Sequence, residues 1–211
     1  MEATESKQQA AKETSRIESF SDGVFAIAIT LLILDIHVPV IKENESLLNG
    51  LLSEWPSLLA LLIGFFTILI CWINHHYMFQ VIHRTDSILL LLNGFKLLIV
   101  TITPFATAVL SKYIQTEHQH AAVTLYCFNF ALMGIAMTAL FNYAYRKGFV
   151  NASSTQILAA TNRLYIFAGI YSSLICLVSF ASIVACLVLF GLMFIIFLFP
   201  KQVVNWQASR N

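Results

Sequence analysis

Three apolar segments in the first half of the chain carry polar and ionisable side chains. These are Arg16, Ser21 and Asp22 in the first segment, Trp72, Asn74, His75 and His76 in the second, and Asn93 and Lys96 in the third. Ionisable groups in hydrocarbon are costly, and they usually face a bundle interior or a water-filled path. Lys96 needs a partner there, and Asp22 is the nearest acid by depth. We predict a buried network of these two residues with one histidine, flanked by Arg16 and Ser21.

Such a network could lock three helices together, relay protons or bind a metal. His75 and His76 are sequence neighbours, so on a helix they point about 100° apart and cannot readily share one metal ion. Ser21 adjoins Asp22 without the Gly-rich elbow of a serine hydrolase. We therefore expect neither an enzyme nor a cofactor, and the locking and relay roles both stay open.

The first segment also carries an apolar stripe. Ile27, Leu31, Leu34 and Val38 follow the i, i+4, i+7, i+11 spacing of one helix face, with small residues such as Gly23 beside them. Such a stripe can face lipid or a protein core. In a symmetric oligomer it can instead form rings that constrict a pore by size and by dewetting. The spacing alone leaves these alternatives open.

The composition indicates a membrane protein. Hydrophobic residues make up 58% of the 211 residues and charged residues 11%, whereas a soluble domain carries about 25% charged residues. The net charge of +1 gives no argument for a nucleic-acid partner. All four cysteines lie inside apolar blocks, so we expect neither a disulfide framework nor a zinc site.

The apolar blocks predict an all-α, polytopic protein with six transmembrane helices in one domain, residues 1–211. The first four spans cover about 17–38, 56–80, 86–111 and 121–145, after a polar lead-in (1–15). A polar connection then runs over 146–161. The last apolar run, 163–199, would be about 55 Å long as one helix, so we expect two short spans joined near 179–182. A short tail, 200–211, follows.

The distribution of basic residues predicts the orientation. With six spans, nine Lys and Arg residues fall on the side of the termini and only Lys42 and Lys112 on the other. Cytoplasmic loops carry such an excess, so we expect both termini in the cytoplasm and the chain in the cell membrane. The opposite side carries Asp35, Glu43 and Glu45, an acidic rim that would concentrate cations.

Particular motifs in the first three spans resemble the transmembrane protein 175 family, the lysosomal potassium channels and their bacterial homologues. The first is R-x-x-x-F-S-D, here Arg16 to Asp22 with Phe20 and Ser21, followed by an apolar run over residues 23–32. The others are the Trp72, Asn74, His75 and His76 cluster, Asn93 with Lys96, and Thr103-Pro104-Phe105. This chain has one such unit, as in the bacterial members, whereas the animal members carry two.

The resemblance implies a homotetramer with the first helices around a central pore. It implies that Ile27 forms the main constriction, with Leu31 and Leu34 as further apolar layers and Thr30 as a candidate polar layer for potassium preference. The signature residues Arg16, Phe20, Ser21 and Asp22 would orient the pore helix against Trp72, a histidine and Lys96. No T-V-G-Y-G filter is present, so selectivity would come from side chains and pore width.

We therefore predict a passive cation channel that prefers potassium, whose partners are its own copies, the bilayer and monovalent cations. The alternative is a proton-coupled transporter or a proton path through Asp22, His75, His76 and Lys96.

Overall fold

A computed structural model describes residues 2–41, 46–151 and 155–198, and the described chain is all α-helical apart from one isolated backbone bridge. Its helices are α1 (Glu2–Leu31), continued by a 3-10 turn (Leu32–Asp35), α2 (Leu47–Ser53), α3 (Trp55–Val81), α4 (Ser87–Tyr113), α5 (Gln119–Arg146), α6 (Thr155–Ser179) and α7 (Ile183–Leu198). The predicted all-α fold is confirmed. The predicted tail, 200–211, lies outside the described residues.

Five of these helices are long and apolar enough to cross a membrane, namely the segment Thr14–Asp35, then α3, α4, α5 and residues 157–179 of α6. The last helix, α7, has only 16 residues, or about 24 Å at 1.5 Å per residue. A break between α6 and α7 at residues 180–182 agrees with the predicted joint near 179–182. Whether α7 completes a sixth crossing stays a prediction.

The start of α6 differs from the prediction. We expected a polar connection up to residue 161, but helix α6 begins at Thr155, and Ala160 within it is fully buried. Residues 157–160 are apolar and belong to the part of α6 that is long and apolar enough to cross a membrane, but polar residues on both sides, Thr155, Thr161 and Asn162, hid them as a short island in the sequence.

The end of the first span also differs. The predicted helix ran to Val38, but regular helix stops at Leu31 and the 3-10 turn ends at Asp35, after which Ile36 is extended. The residue before a proline is disfavoured in helical conformation, and Val38 precedes Pro39. Val38 therefore does not belong to the helical stripe.

The helices pack around two apolar clusters. The first joins α1, α3, α4 and α5 around Phe25, Ile68 and Val100, and the second joins α5, α6 and α7 around Tyr126 and Phe190. The helices α5 and α6 approach closely, because a Cβ on Gly134 would lie 2.3 Å from Oγ of Ser172. The pore-helix candidate α1 thus rests against the first cluster.

Backbone hydrogen bonds join the connection after α3 to the connection after α5. The amide of His83 donates to the carbonyl of Phe149 (2.8 Å), and the amide of Asn151 donates to the carbonyl of Val81 (2.8 Å). This pairing, which we call the loop clasp, is centred on an antiparallel bridge between Ile82 and Val150. Asp86 caps α4 next to it, its carboxylate accepting from the amide of Leu89 at 2.8 Å.

Candidate pore helix and its polar anchor

Helix α1 has one buried face and one face that contacts little of the chain that the structure describes. The buried residues recur at the i, i+4, i+7, i+11 spacing of a single helix face. They are Ser21, Phe25, Ala28 and Leu32, all 2% exposed or less. This face packs against α3 and α4, so those two helices set how α1 is rotated about its axis.

The opposite face of α1 is open along the span. Ile27 is 60% exposed, Leu31 42% and Leu34 70%. Phe20 lies on the same face at 67% exposure, and a Cβ on Gly23 would meet nothing within 4 Å. We call this face, Phe20, Gly23, Ile27, Thr30, Leu31 and Leu34, the open stripe. All the constriction residues implied by the family resemblance lie on it.

Thr30 is the polar member of the open stripe. Its hydroxyl donates back to the carbonyls of Ala26 (3.1 Å) and Ile27 (2.9 Å). The hydroxyl hydrogen is therefore engaged within the helix, while oxygen lone pairs remain available on an exposed side chain. Such an oxygen can replace part of a cation's hydration shell.

A group of side chains on α1, α3 and α4 holds the buried side of α1, and we call it the anchor: Glu18, Asp22, Phe25, Trp72, His75, His76 and Lys96. It contains a Lys–His pair. Nζ of Lys96 on α4 contacts Nδ1 of His75 on α3, and both side chains are fully buried. The two nitrogens can share this contact only when one of them offers a lone pair, so the pair cannot hold the full complement of two positive charges there. Phe25 of α1 covers the pair, with its ring centroid 5.2 Å from Nζ and 5.4 Å from the imidazole centroid.

Acidic residues of α1 pair with α3 through two other contacts. The indole Nε1 of Trp72 donates to Asp22 at 2.8 Å, and Nδ1 of His76 lies 2.8 Å from a carboxylate oxygen of Glu18. The rings of Trp72 and His76 stack, with centroids 5.9 Å apart. These contacts thus join one side of α1 to successive turns of α3.

The structure brings most of the predicted network together but pairs it differently. Lys96 makes no ion pair with Asp22 in the described chain, because Lys96 contacts His75 and Asp22 contacts Trp72. Both histidines take part, each with its own partner. Ser21 joins through Asn93, whose amide donates to its hydroxyl at 3.0 Å. Arg16 is exposed and lies beside Phe20 along a groove between α1 and α4.

Glu18 and Phe25 are the participants that we did not predict. Glu18 precedes Asp22 by four residues, so the two carboxylates lie on one side of α1, and this spacing was the available signal. Phe25 carried no such signal, because an apolar residue inside an apolar run is not distinguishable by type.

The predicted acidic rim is described only at Asp35. This residue is half-buried at the end of the 3-10 turn, and its backbone carbonyl lies 3.0 Å from Nδ1 of His37. Glu43 and Glu45 lie outside the described residues. Across the ranges that the structure covers, no three His, Cys, Asp or Glu side chains are grouped to hold a metal ion.

Comparison with known proteins finds relatives that are named as ion channels. Residues 16–104 match the family model described as the endosomal/lysosomal potassium channel TMEM175. The chain is 46% identical over 134 residues to the potassium channel Cha6605_3372 of Chamaesiphon minutus, covering 63% of this chain and 66% of the relative. It is 37% identical over 111 residues to the endosomal/lysosomal proton channel TMEM175 of Gallus gallus, covering 49% of this chain and 22% of that protein.

The fold matches a solved structure as well. The crystal structure of a lysosomal potassium-selective channel TMEM175 homologue from Chamaesiphon minutus superposes with a TM-score of 0.81 at 37% identity. The match covers 90% of this chain and 98% of the other, so the similarity extends well beyond the residues of the anchor.

Proposed function

This chain belongs to the TMEM175 family, and from that membership together with the open stripe of α1 we propose that it forms a potassium channel. Its bacterial relative carries the name potassium channel, and its structural counterpart is titled potassium-selective. Passive conduction needs no catalytic group and no cofactor other than the transported ion.

The open stripe is the observation that carries the proposal. Within one chain it leaves Ile27 and Leu34 exposed while the other side of α1 is buried and held by polar contacts. Placing four copies around an axis would turn each residue of the stripe into a ring, because a closed cyclic assembly repeats the same surface on every subunit. In a homotetramer the open stripe would therefore line a central pore, whereas in an isolated chain it lines none.

The order of residues along the stripe supports a path with polar and apolar layers. Ile27 and Thr30 are separated by about 4.5 Å along the axis at the α-helical rise of 1.5 Å per residue, and Leu34 follows in the 3-10 turn, where the rise is about 2 Å per residue. Rings of branched side chains at Ile27 and Leu34 would restrict the path by size and dewetting. The Thr30 oxygens between them would coordinate a partly dehydrated potassium ion.

The anchor sets the position of these layers. Because α1 is held at its buried face by the Trp72–Asp22 and His76–Glu18 contacts and by the packing of Phe25, rotation about its axis would break several contacts at once. We assign the anchor residues to orienting the pore helix rather than to direct contact with the ion.

The membrane arrangement follows from the same proposal. The chain would cross the cell membrane six times, with α7 as the shortest crossing and both termini in the cytoplasm. Asp35 would then lie at the external mouth, where a carboxylate in each subunit attracts cations.

The proposal is tested by potassium flux into liposomes that contain the purified protein. Replacing Ile27→Asn puts a polar amide in the proposed constriction and should raise voltage-driven flux several-fold. The matched control is Ile170→Asn on α6, where the isoleucine is 66% exposed but far from the stripe in sequence and on another helix. Unchanged flux in Ile27→Asn, with the same oligomeric state as wild type, would remove Ile27 from the constriction.

Proton conduction is the second candidate function, favoured by the buried contact of Lys96 with His75 and by the name of the animal relative. A proton path through this pair would give proton flux driven by the pH gradient, and this flux should be lost in Lys96→Met. Proton flux that is absent under a pH gradient, or equal in wild type and Lys96→Met, would exclude it.

A further inference from the structure

Two cysteine side chains from different helices meet inside the second apolar cluster. Sγ of Cys127 on α5 lies 3.1 Å from Sγ of Cys186 on α7, although 59 positions separate the two residues in the chain. Both residues are buried, and both are free thiols in this structure. The distance is short for two sulfur atoms, since the sulfur atoms of Cys71 and Met137 are 3.7 Å apart. The fold thus holds two thiols in direct contact.

Aromatic packing holds α5 and α7 together beside this thiol pair. The ring centroid of Phe190 lies 4.5 Å from that of Phe130 and 5.9 Å from that of Tyr126. Phe190 follows Cys186 by four residues and lies on the same face of α7. Phe130 follows Cys127 by three residues and lies on the same face of α5. The facing sides of the two helices therefore carry both the thiols and the packed rings, so the thiol contact is part of a wider interface.

The thiol pair lies towards one end of the helix bundle. Cys127 is near the beginning of α5, and Cys186 is in the first turn of α7. The last residue of α6, Ser179, donates to the hydroxyl of Thr124 at 3.2 Å, so the joint between α6 and α7 lies beside the beginning of α5. In the proposed membrane arrangement this end faces away from the cytoplasm. Disulfides form and persist in such oxidising compartments.

We propose that Cys127 and Cys186 form a disulfide bond that ties α7 to α5. A disulfide is about 2.05 Å long, so the sulfur atoms must approach by about 1 Å. Each thiol gives up one hydrogen as the S–S bond forms, and an oxidant accepts the two protons and two electrons. A carrier protein with an exchangeable disulfide, of the class that acts outside the cytoplasm, is such an oxidant and is itself reduced to two thiols.

Burial determines when this bond can form. Both sulfur atoms are enclosed once α7 has packed, so the oxidant must reach them while the chain folds. Cys186 is the last of the four cysteines in the chain, and the bond therefore forms as α7 docks against α5. The completed bond closes a long loop, which restricts the unfolded chain and stabilises the folded one.

Thiol counting on the full chain tests the proposal. The chain has four cysteines. The reduced protein is transferred from sodium dodecyl sulfate into lipid bicelles with diamide, whose N=N bond takes up the two hydrogens, and is then unfolded and alkylated with N-ethylmaleimide. Wild type should carry two adducts, on Cys71 and Cys176, and its digest should contain a linked peptide of Cys127 and Cys186. Four adducts, or a link through Cys71 or Cys176, would overturn the proposal.

Matched variants and conditions separate this pair from chance oxidation. Cys176→Ala should keep the linked peptide and carry one adduct, whereas Cys186→Ala should lose the linked peptide. The same treatment in sodium dodecyl sulfate alone should give at least tenfold less of the Cys127–Cys186 peptide, because the helices no longer hold the two thiols together. An equal yield there would overturn the proposal.

Resistance to detergent gives a second readout. Oxidised wild type should unfold at a higher concentration of sodium dodecyl sulfate than the reduced protein, because of the closed loop, and Cys186→Ala should show no such shift. Equal midpoints for oxidised and reduced wild type would overturn the tie between α5 and α7. The bond depends on the packing of these two helices and not on conduction, so its failure would leave the potassium-flux test of the channel unaffected.

Discussion

Gly64 lies on α3 where this helix packs against α4 and against the turn that follows α1. A Cβ at this position would lie 2.7 Å from Oγ1 of Thr107, 3.0 Å from its Cγ2 and 3.0 Å from Cδ2 of Leu32. Thr107 is buried, and its hydroxyl donates to the carbonyl of Thr103 at 2.9 Å. Turning Thr107 away would break that bond, so Gly64→Ala requires either the loss of this hydrogen bond or a shift of a neighbouring helix.

The size of this effect can be set against a matched glycine. Forcing an extra carbon into a well-packed interior typically costs about 1–3 kcal/mol. Gly191 on α7 has nothing within 4 Å of an added Cβ, so Gly191→Ala carries the same change in backbone freedom without the collision. We expect Gly64→Ala to be less stable than Gly191→Ala by about 1–3 kcal/mol.

Reversible unfolding by sodium dodecyl sulfate in mixed micelles would measure this difference, and liposome flux would measure its consequence. Leu32 lies in the turn between Leu31 and Leu34, so a displaced Leu32 should also alter conduction. Equal stability of the two variants, within about 0.5 kcal/mol, would refute the close packing of α3, α4 and the pore helix at this point, because such packing does not tolerate an added carbon.

Two further predictions concern polar contacts. Trp72→Phe removes the indole donor to Asp22, so it should destabilise the protein by about 1.5 kcal/mol, the lower end for hydrogen bonds to charged groups. The same unfolding titration measures this loss of stability. An unchanged stability would mean that water replaces the indole as the donor. At Asp86, the hydrogen bond from Tyr143 (2.6 Å), then that from the Leu89 amide, lowers the pKa below its ordinary 3.8. Its contribution to stability is therefore present above about pH 4 and lost as the pH falls through the lowered pKa, so Tyr143→Phe should differ from wild type in unfolding at pH 7 and converge with it in acid; a constant difference across this range would contradict the assignment.

The all-α class and the approximate positions of the long helices could be predicted because apolar blocks and prolines are local signals. Pro56 marked the start of α3, and the polar residues near 179–182 marked the joint between α6 and α7. The start of α6 was not predicted, because Thr155, Thr161 and Asn162 flank the apolar residues 157–160 and separate them from the longer apolar run that follows.

The members of the anchor could be predicted better than their pairing. Burial of ionisable groups at similar depth brought Asp22, His75 and Lys96 into one group. Depth, however, says nothing about rotation around a helix axis. Rotation is set by packing of Phe25 and Leu32, which turns Asp22 towards Trp72 and leaves Lys96 facing His75.

The loop clasp also constrains the order of biosynthesis. Its hydrogen bonds join residues 81–83 to residues 149–151, so the ribosome must complete α4 and α5 before the end of α3 acquires these partners. The contacts between α1 and its anchor on α3 and α4 lie entirely upstream of that point, at residues 18–96. The chain can therefore assemble α1 with its anchor co-translationally, and the loop clasp forms afterwards between connections that flank helices already in place.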